Sequence, residues 1–166
     1  KDTKEKILKF AEKIKNDLKE FNPLVDNREE YSPGWKFNEW ELKGVPIRIE
    51  VGPKDIAKKE AIIVKRNDRK KKAVKITQLK KEVDSMLKEI QKELYTKAEK
   101  KMHDHLITVN SLKELEHAIS EKKIALTSLC KDRACEDAIK EKTSGAKTLN
   151  IPLDQPSLKG KKCVQC

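Results

Sequence analysis

The feature that most restricts how this chain can fold is the change of apolar period along it. Ile7, Phe10, Ala11, Ile14, Leu18 and Phe21 recur at three- and four-residue steps. That single stripe predicts a helix over 2–21, which Pro23 ends. The stretch from Val45 to Val51 alternates with period two and predicts a half-buried strand with Pro46 near its start. A β-branched run from Ala61 to Lys65 predicts a second strand. Asn67-Asp68-Arg69-Lys70 turns it into a third at Ala73 to Ile76, a hairpin. The helical period then returns from Thr77 to about Lys101, through Leu79, Val83, Met86, Leu87, Ile90, Leu94 and Ala98. A chain that alternates between the two periods mixes helices with strands.

Shorter signals fill the intervals. Leu24 and Val25 suggest a short strand. Tyr31-Ser32-Pro33-Gly34 is turn chemistry. It leads into a predicted helix over 35–43 that carries Trp35, Phe37, Trp40 and Leu42 and ends at Gly44. Three of the five Phe and Trp residues lie in those nine positions, which marks a core or a stacking site. Gly52-Pro53 turns the chain. Leu106 to Val109 and Ile124 to Leu129 are strand candidates, and Ser111 with Glu114 opens a helix between them. The composition shifts beyond Leu129, and a domain boundary near 101–105 gives expected domains of 1–101 and 102–166.

Charge narrows the function. The formal net charge is +11. Residues 54–81 hold twelve Lys or Arg against three Asp or Glu, so +9 of that total sits in one window. A basic segment this concentrated is the electrostatic footprint of a phosphate-backbone partner. No run of 18 apolar residues exists to span a membrane, and no signal peptide is visible. The chain opens on Lys1 rather than Met, so a piece of a longer protein is expected. Glycine-rich phosphate loops, nucleophile elbows, HExxH and kinase signatures are all absent. Chemistry alone therefore predicts a binding module rather than a catalyst.

All four cysteines follow Leu129. Cys130 and Cys135 are spaced C-x4-C, and Cys163 and Cys166 C-x2-C. Two such pairs are the pattern of a four-thiolate zinc site. Two disulfides or unrelated free thiols are the rival readings, and the disulfides would need an oxidising compartment. His103, His105 and His117 are expected at the surface.

The run YSPGWKFNEWELKGVPIRIEVGPKD, from Tyr31 to Asp55, resembles the prolyl-tRNA synthetase family, in the type with a C-terminal zinc-binding domain. The second half agrees through Cys130-x4-Cys135-Glu136-x2-Ile139, Gly145-Ala146-Lys147-Thr148-Leu149-x-Ile151-Pro152 and Cys163-x2-Cys166. The resemblance implies an α/β fold: a mixed-sheet class II anticodon-binding domain, here without its first strand, then a small α/β zinc-binding domain truncated at its end. It implies a cytoplasmic, homodimeric parent that attaches proline to tRNA(Pro) using ATP and magnesium in an upstream catalytic domain. That domain is missing from these residues, so they should be inactive alone.

By motif position the resemblance carries the anticodon site onto Phe37, Glu41, Arg48, Lys54, Asp55 and Lys70. Glu41 and Asp55 would accept from guanine N1 and N2, Arg48, Lys54 and Lys70 would donate to O6 and N7, and Phe37 would stack. Trp35 and Trp40 are expected in the core. The metal ligands would be Cys130, Cys135, Cys163 and Cys166. The alternative is a stand-alone, non-catalytic RNA-binding or scaffold module built on the same domains.

Overall fold

The structure is a computed structural model that describes residues 2–155 and 157–166. The chain divides into two compact units, one up to Tyr95 and one from Thr96 onward, with the division inside a long helix.

The first unit contains α1 (Asp2–Asp17), α2 (Pro33–Leu42), β1 (Ile47–Glu50), α3 (Pro53–Lys58), β2 (Glu60–Lys65), β3 (Lys71–Lys75) and most of α4 (Ile76–His105). The strands form an antiparallel sheet in the order β1-β2-β3, with Ile49 opposite Ile63 and Ile62 opposite Ala73. The central strand is the most buried, as its β-branched composition requires. Its alternation sends Ala61 and Ile63 into a core with Ile14 and Leu18 of α1, Val74 of β3, and Leu79 and Val83 of α4. Lys65 is only 5% exposed. Its ammonium donates to Glu89 at 3.0 Å and Glu93 at 2.8 Å on α4. These contacts hold it protonated above the ordinary lysine range, with Glu93 first among the causes.

Local chemistry sets the element ends. Ser32 accepts from the Trp35 N–H at 3.3 Å, and Pro33 opens α2 in the first turn, where its missing N–H costs nothing. At the other end Gly44 adopts φ +84, which lets its N–H reach Glu41 O and the Val45 N–H reach Trp40 O. That reversal aims the chain into β1. Gly52-Pro53 starts α3 rather than a simple turn: Pro53 is its first residue, and Asp55 accepts the Gly52 N–H at 2.8 Å.

No strand forms at Leu24 and Val25, and Leu24 is 67% exposed. Asp26 instead ties this segment to α2, accepting from Trp40 Nε1 at 2.8 Å and from both Arg28 Nε and Nη2. Side-chain bonds to a helix replace the ladder that a strand would need.

The second unit contains the end of α4, β4 (Leu106–Thr108), α5 (Leu112–Ser120), β5 (Ile124–Leu126) and α6 (Arg133–Lys142). β4 and β5 are parallel, joined through α5 as the strand–helix–strand order demands. Ser111 accepts from the Glu114 N–H, and Glu114 accepts from the Asn110 N–H at 2.8 Å. Its core is the cluster of Val109, Leu115, Ala118, Ile139 and Val164, and Cys135 is buried as well. The fold is thus α/β, with an antiparallel sheet in one unit and a parallel pair in the other. Among the described residues no helix is long and apolar enough to cross a membrane.

Candidate nucleic-acid interface and metal centre

The face of β2 away from the core builds the first site. Ile63 points inward, so period two places Val64 and then Arg66 on the opposite face. A narrow cleft forms there, with Phe37, Trp40 and Glu41 from α2 on one wall and Val45, Arg48, Val64 and Arg66 completing it. The Arg48 guanidinium lies 4.0 Å from the Phe37 ring centroid. It donates from Nη1 to Glu41 Oε1 and from Nε to Glu50 Oε1, both at 2.9 Å. Arg69 donates to the other Glu41 oxygen at 2.8 Å. The Arg48 bond, followed by the Arg69 charge, holds the Glu41 carboxyl below its ordinary range despite partial burial.

The structure therefore brings together Phe37, Glu41 and Arg48. Lys54, Asp55 and Lys70 do not line the cleft. Asp55 caps α3, and Lys54 is exposed in that helix's first turn. Lys70 is 84% exposed and pairs with Asp68 at 3.5 Å. The sequence reading missed Arg66 and Arg69, although the alternation Ile62, Val64, Arg66 already places Arg66 on the cleft face.

Trp35 is not a core residue. It is 45% exposed and stacks on Tyr31, with centroids 3.9 Å apart and planes 10° from parallel. Arg28 sits over both rings. Trp40 is half-buried, but its contacts are Asp26, Arg28 and Lys43 rather than the apolar core. The cap at Ser32 anchors α2 by its polar end, so its aromatics decorate the rim of the unit.

Asp26, Glu39 and Glu41 share one property with a pH consequence. Arg28 holds Asp26 and Glu39 below the ordinary carboxylate range, and Arg48 does the same for Glu41. A depressed folded value adds stability that is complete above the unfolded value, about 4, and is lost as pH falls through the folded one. Denaturant unfolding followed by Trp fluorescence should therefore give a flat midpoint from about pH 7 to 5 and a falling one below about pH 4.

The second site closes on sulfur. The Sγ atoms of Cys130, Cys135, Cys163 and Cys166 all lie within 4.8 Å of one another, and those of Cys130 and Cys166 are 3.9 Å apart. All four are free thiols. A tetrahedral ion with metal–sulfur bonds of about 2.3 Å needs sulfur–sulfur edges of about 3.8 Å. The donor set therefore fits a soft divalent cation. The backbone presents it deliberately: Asp132 caps α6 through the Ala134 N–H, which places Cys135 in the first helical turn. Val164, between the other pair, donates its N–H to Ser128 O at 2.8 Å and is buried in the core. Burial opposes ionisation of Cys163, but N–H groups of Cys130, Cys166 and Gln165 outweigh it and bring the thiol down to about 6. Contacts with Cys130 and Cys166 push Cys135 up. Four such sulfurs cannot all ionise together without a cation among them.

A basic α/β unit with an aromatic, acidic and guanidinium-lined cleft, followed by a small four-thiol unit, defines a nucleic-acid-binding module paired with a metal-binding one. The family model described as anticodon binding domain matches residues 1–86, and that described as prolyl-tRNA synthetase, C-terminal matches residues 112–166. The chain belongs to the anticodon-binding domain family, in the form carried by prolyl-tRNA synthetases.

A proline–tRNA ligase of Natranaerobius thermophilus is 36% identical over 168 residues, covering 100% of this chain and 34% of that protein. One of Alkaliphilus oremlandii is 38% identical over 165 residues, covering 98% and 34%. The bifunctional glutamate/proline–tRNA ligase of Drosophila melanogaster is 37% identical over 144 residues, covering 80% and 8%. The chain thus spans about a third of the length of the first two relatives.

Proposed function

We propose that this chain is the tRNA-recognition part of a proline–tRNA ligase and reads the guanines of the proline anticodon. The observation that carries this reading is the Phe37–Arg48–Glu41 arrangement inside the unit matched as anticodon-binding. Phe37 offers a stacking face, Glu41 an acceptor for guanine N1 and N2 protons, and Arg48, Lys54 and Lys70 donors for O6, N7 or neighbouring phosphates. Asp55 would be a second acceptor, contributed from the first turn of α3. The anticodon module is taken as residues 1–101 and the metal module as 102–166.

Cys130, Cys135, Cys163 and Cys166 hold one structural zinc as thiolates. The whole protein, with proline, ATP and magnesium bound in a catalytic domain, forms prolyl-tRNA in the cytoplasm as a homodimer. The 166 residues alone are expected to give no proline-dependent pyrophosphate exchange, and exchange above a no-enzyme control would overturn that expectation.

The deciding experiment is binding of the chain to a proline anticodon stem-loop and to a copy with its guanines replaced. Each lost guanine is expected to weaken binding about tenfold or more. Equal affinity for both RNAs would reject the reading.

Asp55 allows a second test, because capping and reading separate. Asp55→Ala should cost about 1 kcal/mol of stability through the lost Gly52 N–H bond. Asp55→Asn keeps an acceptor for that bond, so a loss of guanine preference in this variant, at unchanged thermal midpoint, reports the reading role alone.

A further inference from the structure

We infer that the second unit carries a further contact for RNA, a phosphate-binding surface of lysines gathered around the four-thiol cluster. From the reading above this takes only that the chain meets a tRNA, and it lies outside the cleft beside β2.

The two units differ in how their cations are answered. In the basic window of the first unit, Lys65, Arg69, Lys70, Lys71, Lys72 and Lys80 each pair with an Asp or Glu of the same unit. Much of that charge is neutralised internally. In the second unit the one ion pair among the described residues is Arg133–Asp137 at 3.9 Å. Residues 157–166 hold Lys159, Lys161 and Lys162 and no Asp or Glu, and all three lysines are exposed.

Local geometry sets these three on one turn. The Lys161 N–H donates to Leu158 O at 3.0 Å, Gly160 takes φ +74, and the Lys159 N–H reaches Ser157 Oγ at 3.3 Å. The turn runs directly into Cys163. The cluster then adds lysines from elsewhere in the unit. Lys131 follows Cys130, whose sulfur is 3.9 Å from that of Cys166, and Lys142 at the end of α6 donates to Gln165 Oε1 at 3.4 Å. The acids of α6 and its cap are mostly engaged: Asp132 accepts from the Ala134 N–H, Asp137 faces Arg133, and Glu136 accepts from the Thr148 hydroxyl. Glu141 and Asp154 remain, against five lysines.

A divalent ion among four thiolates would keep two negative charges, which lysines could balance. Among the described residues no lysine donates to a cysteine sulfur, so the ammonium groups face water instead. Unanswered cations held this close repel one another, and a polyanion relieves that repulsion while releasing its own counterions. RNA fits better than a membrane. Peripheral membrane anchors of this kind are amphipathic helices, and residues 146–163 form no helix or strand where described. The other unit of the same chain matches an anticodon-binding family. The contact is with backbone phosphates and reads no base.

The test uses the full 166-residue chain, titrated at several salt concentrations with a proline tRNA transcript and with a copy whose anticodon guanines are replaced. Lys159→Gln, Lys161→Gln and Lys162→Gln combined should weaken both RNAs alike, by about tenfold. The slope of log affinity against log salt should become shallower by about 2, at roughly 0.7–0.9 per phosphate contact. The ratio between the two RNAs should stay as in wild type. Lys100→Gln, Lys101→Gln and Lys113→Gln combined make the same change in net charge on exposed lysines of the same unit, interspersed with Glu99, Asp104 and Glu114. That control should move affinity and slope far less. Lys131→Gln with Lys142→Gln carries the test from the other side of the cluster should the first variant disturb the amide signals of α6. Equal effects of the two triple variants, or an unchanged slope in a folded variant, would overturn the inference. So would unchanged tRNA binding with lost binding to vesicles of phosphatidylserine and phosphatidylcholine, which would assign the lysines to a membrane. Wild type that fails to prefer the guanines would instead bring down the anticodon reading, and the slopes would still decide this one.

Discussion

Chelating the metal proposed for the four-thiol cluster is expected to unfold the unit from Thr96 onward while leaving the three-stranded sheet of the first unit intact. The second unit has little else to hold it. Its parallel pair has three residues per strand, and a two-stranded sheet alone is marginal in water. Its buried set is six of the described residues, Cys135 among them, and Val164 lies between Cys163 and Cys166. Cys135 and Ile139 are one turn apart on α6, so the helix that supplies a ligand also supplies the core. Residues 146–163 form no helix or strand where described, so the return of the chain to the core depends on Cys163 and Cys166.

A structural thiolate site contributes on the order of 10 kcal/mol in small domains, far more than this core can replace. Metal analysis of reduced protein should give one zinc per chain. After chelation under reducing conditions, amide NMR signals of α5 and α6 should collapse to the unfolded region. Cys135→Ser and Cys163→Ser should do the same without chelator. Dispersed signals from those helices in metal-free protein would show that packing suffices and that the cluster is not structural.

What the sequence discloses and what it hides have separate physical causes. Long stripes are legible because many residues vote for one period. Ile7 through Phe21 and Leu79 through Ala98 yield α1 and α4, although α1 stops at Asp17, with a separate 3-10 turn over Lys19–Phe21, and α4 runs on to His105. Short elements set by one or two side chains are not. α3 has six residues and exists because Pro53 and Asp55 fit a helix start. α6 escapes notice because Asp132 caps it between the two cysteines of one pair, where a flexible knuckle is the natural expectation. Leu24 and Val25 have strand composition, but Asp26 finds its partners on α2. The four thiols converge as their spacing requires, since a C-x2-C and a C-x4-C pair carry geometry in the spacing itself. The cleft is only half legible. Phe37, Glu41 and Arg48 follow from motif position, but the opposite wall is tertiary, and the Arg69–Glu41 bond crosses 28 residues.

Glu41→Ala is expected to weaken binding of the proline anticodon stem-loop by about 1–3 kcal/mol and to flatten the preference for guanine. The chain itself should lose less. Arg48 keeps Glu50 as an acceptor, and Arg69 is 72% exposed and falls back on water. A group whose removal costs recognition more than folding is one whose best partner is absent from the free protein. Glu41→Gln sharpens the comparison, because it keeps the shape and turns one acceptor into a donor. That donor suits adenine N1, so Gln should narrow the gap between guanine and adenine more than Ala does. Depression of the Glu41 carboxyl by Arg48 also fixes the pH dependence. Preference for guanine should hold from about pH 7 to 5 and fade only below the ordinary carboxylate range near 4, as protonation removes the acceptor. If Glu41→Ala and Glu41→Gln weakened every RNA alike, the carboxylate would act only by holding Arg48 against Phe37, and guanine discrimination would have to come from the donors alone.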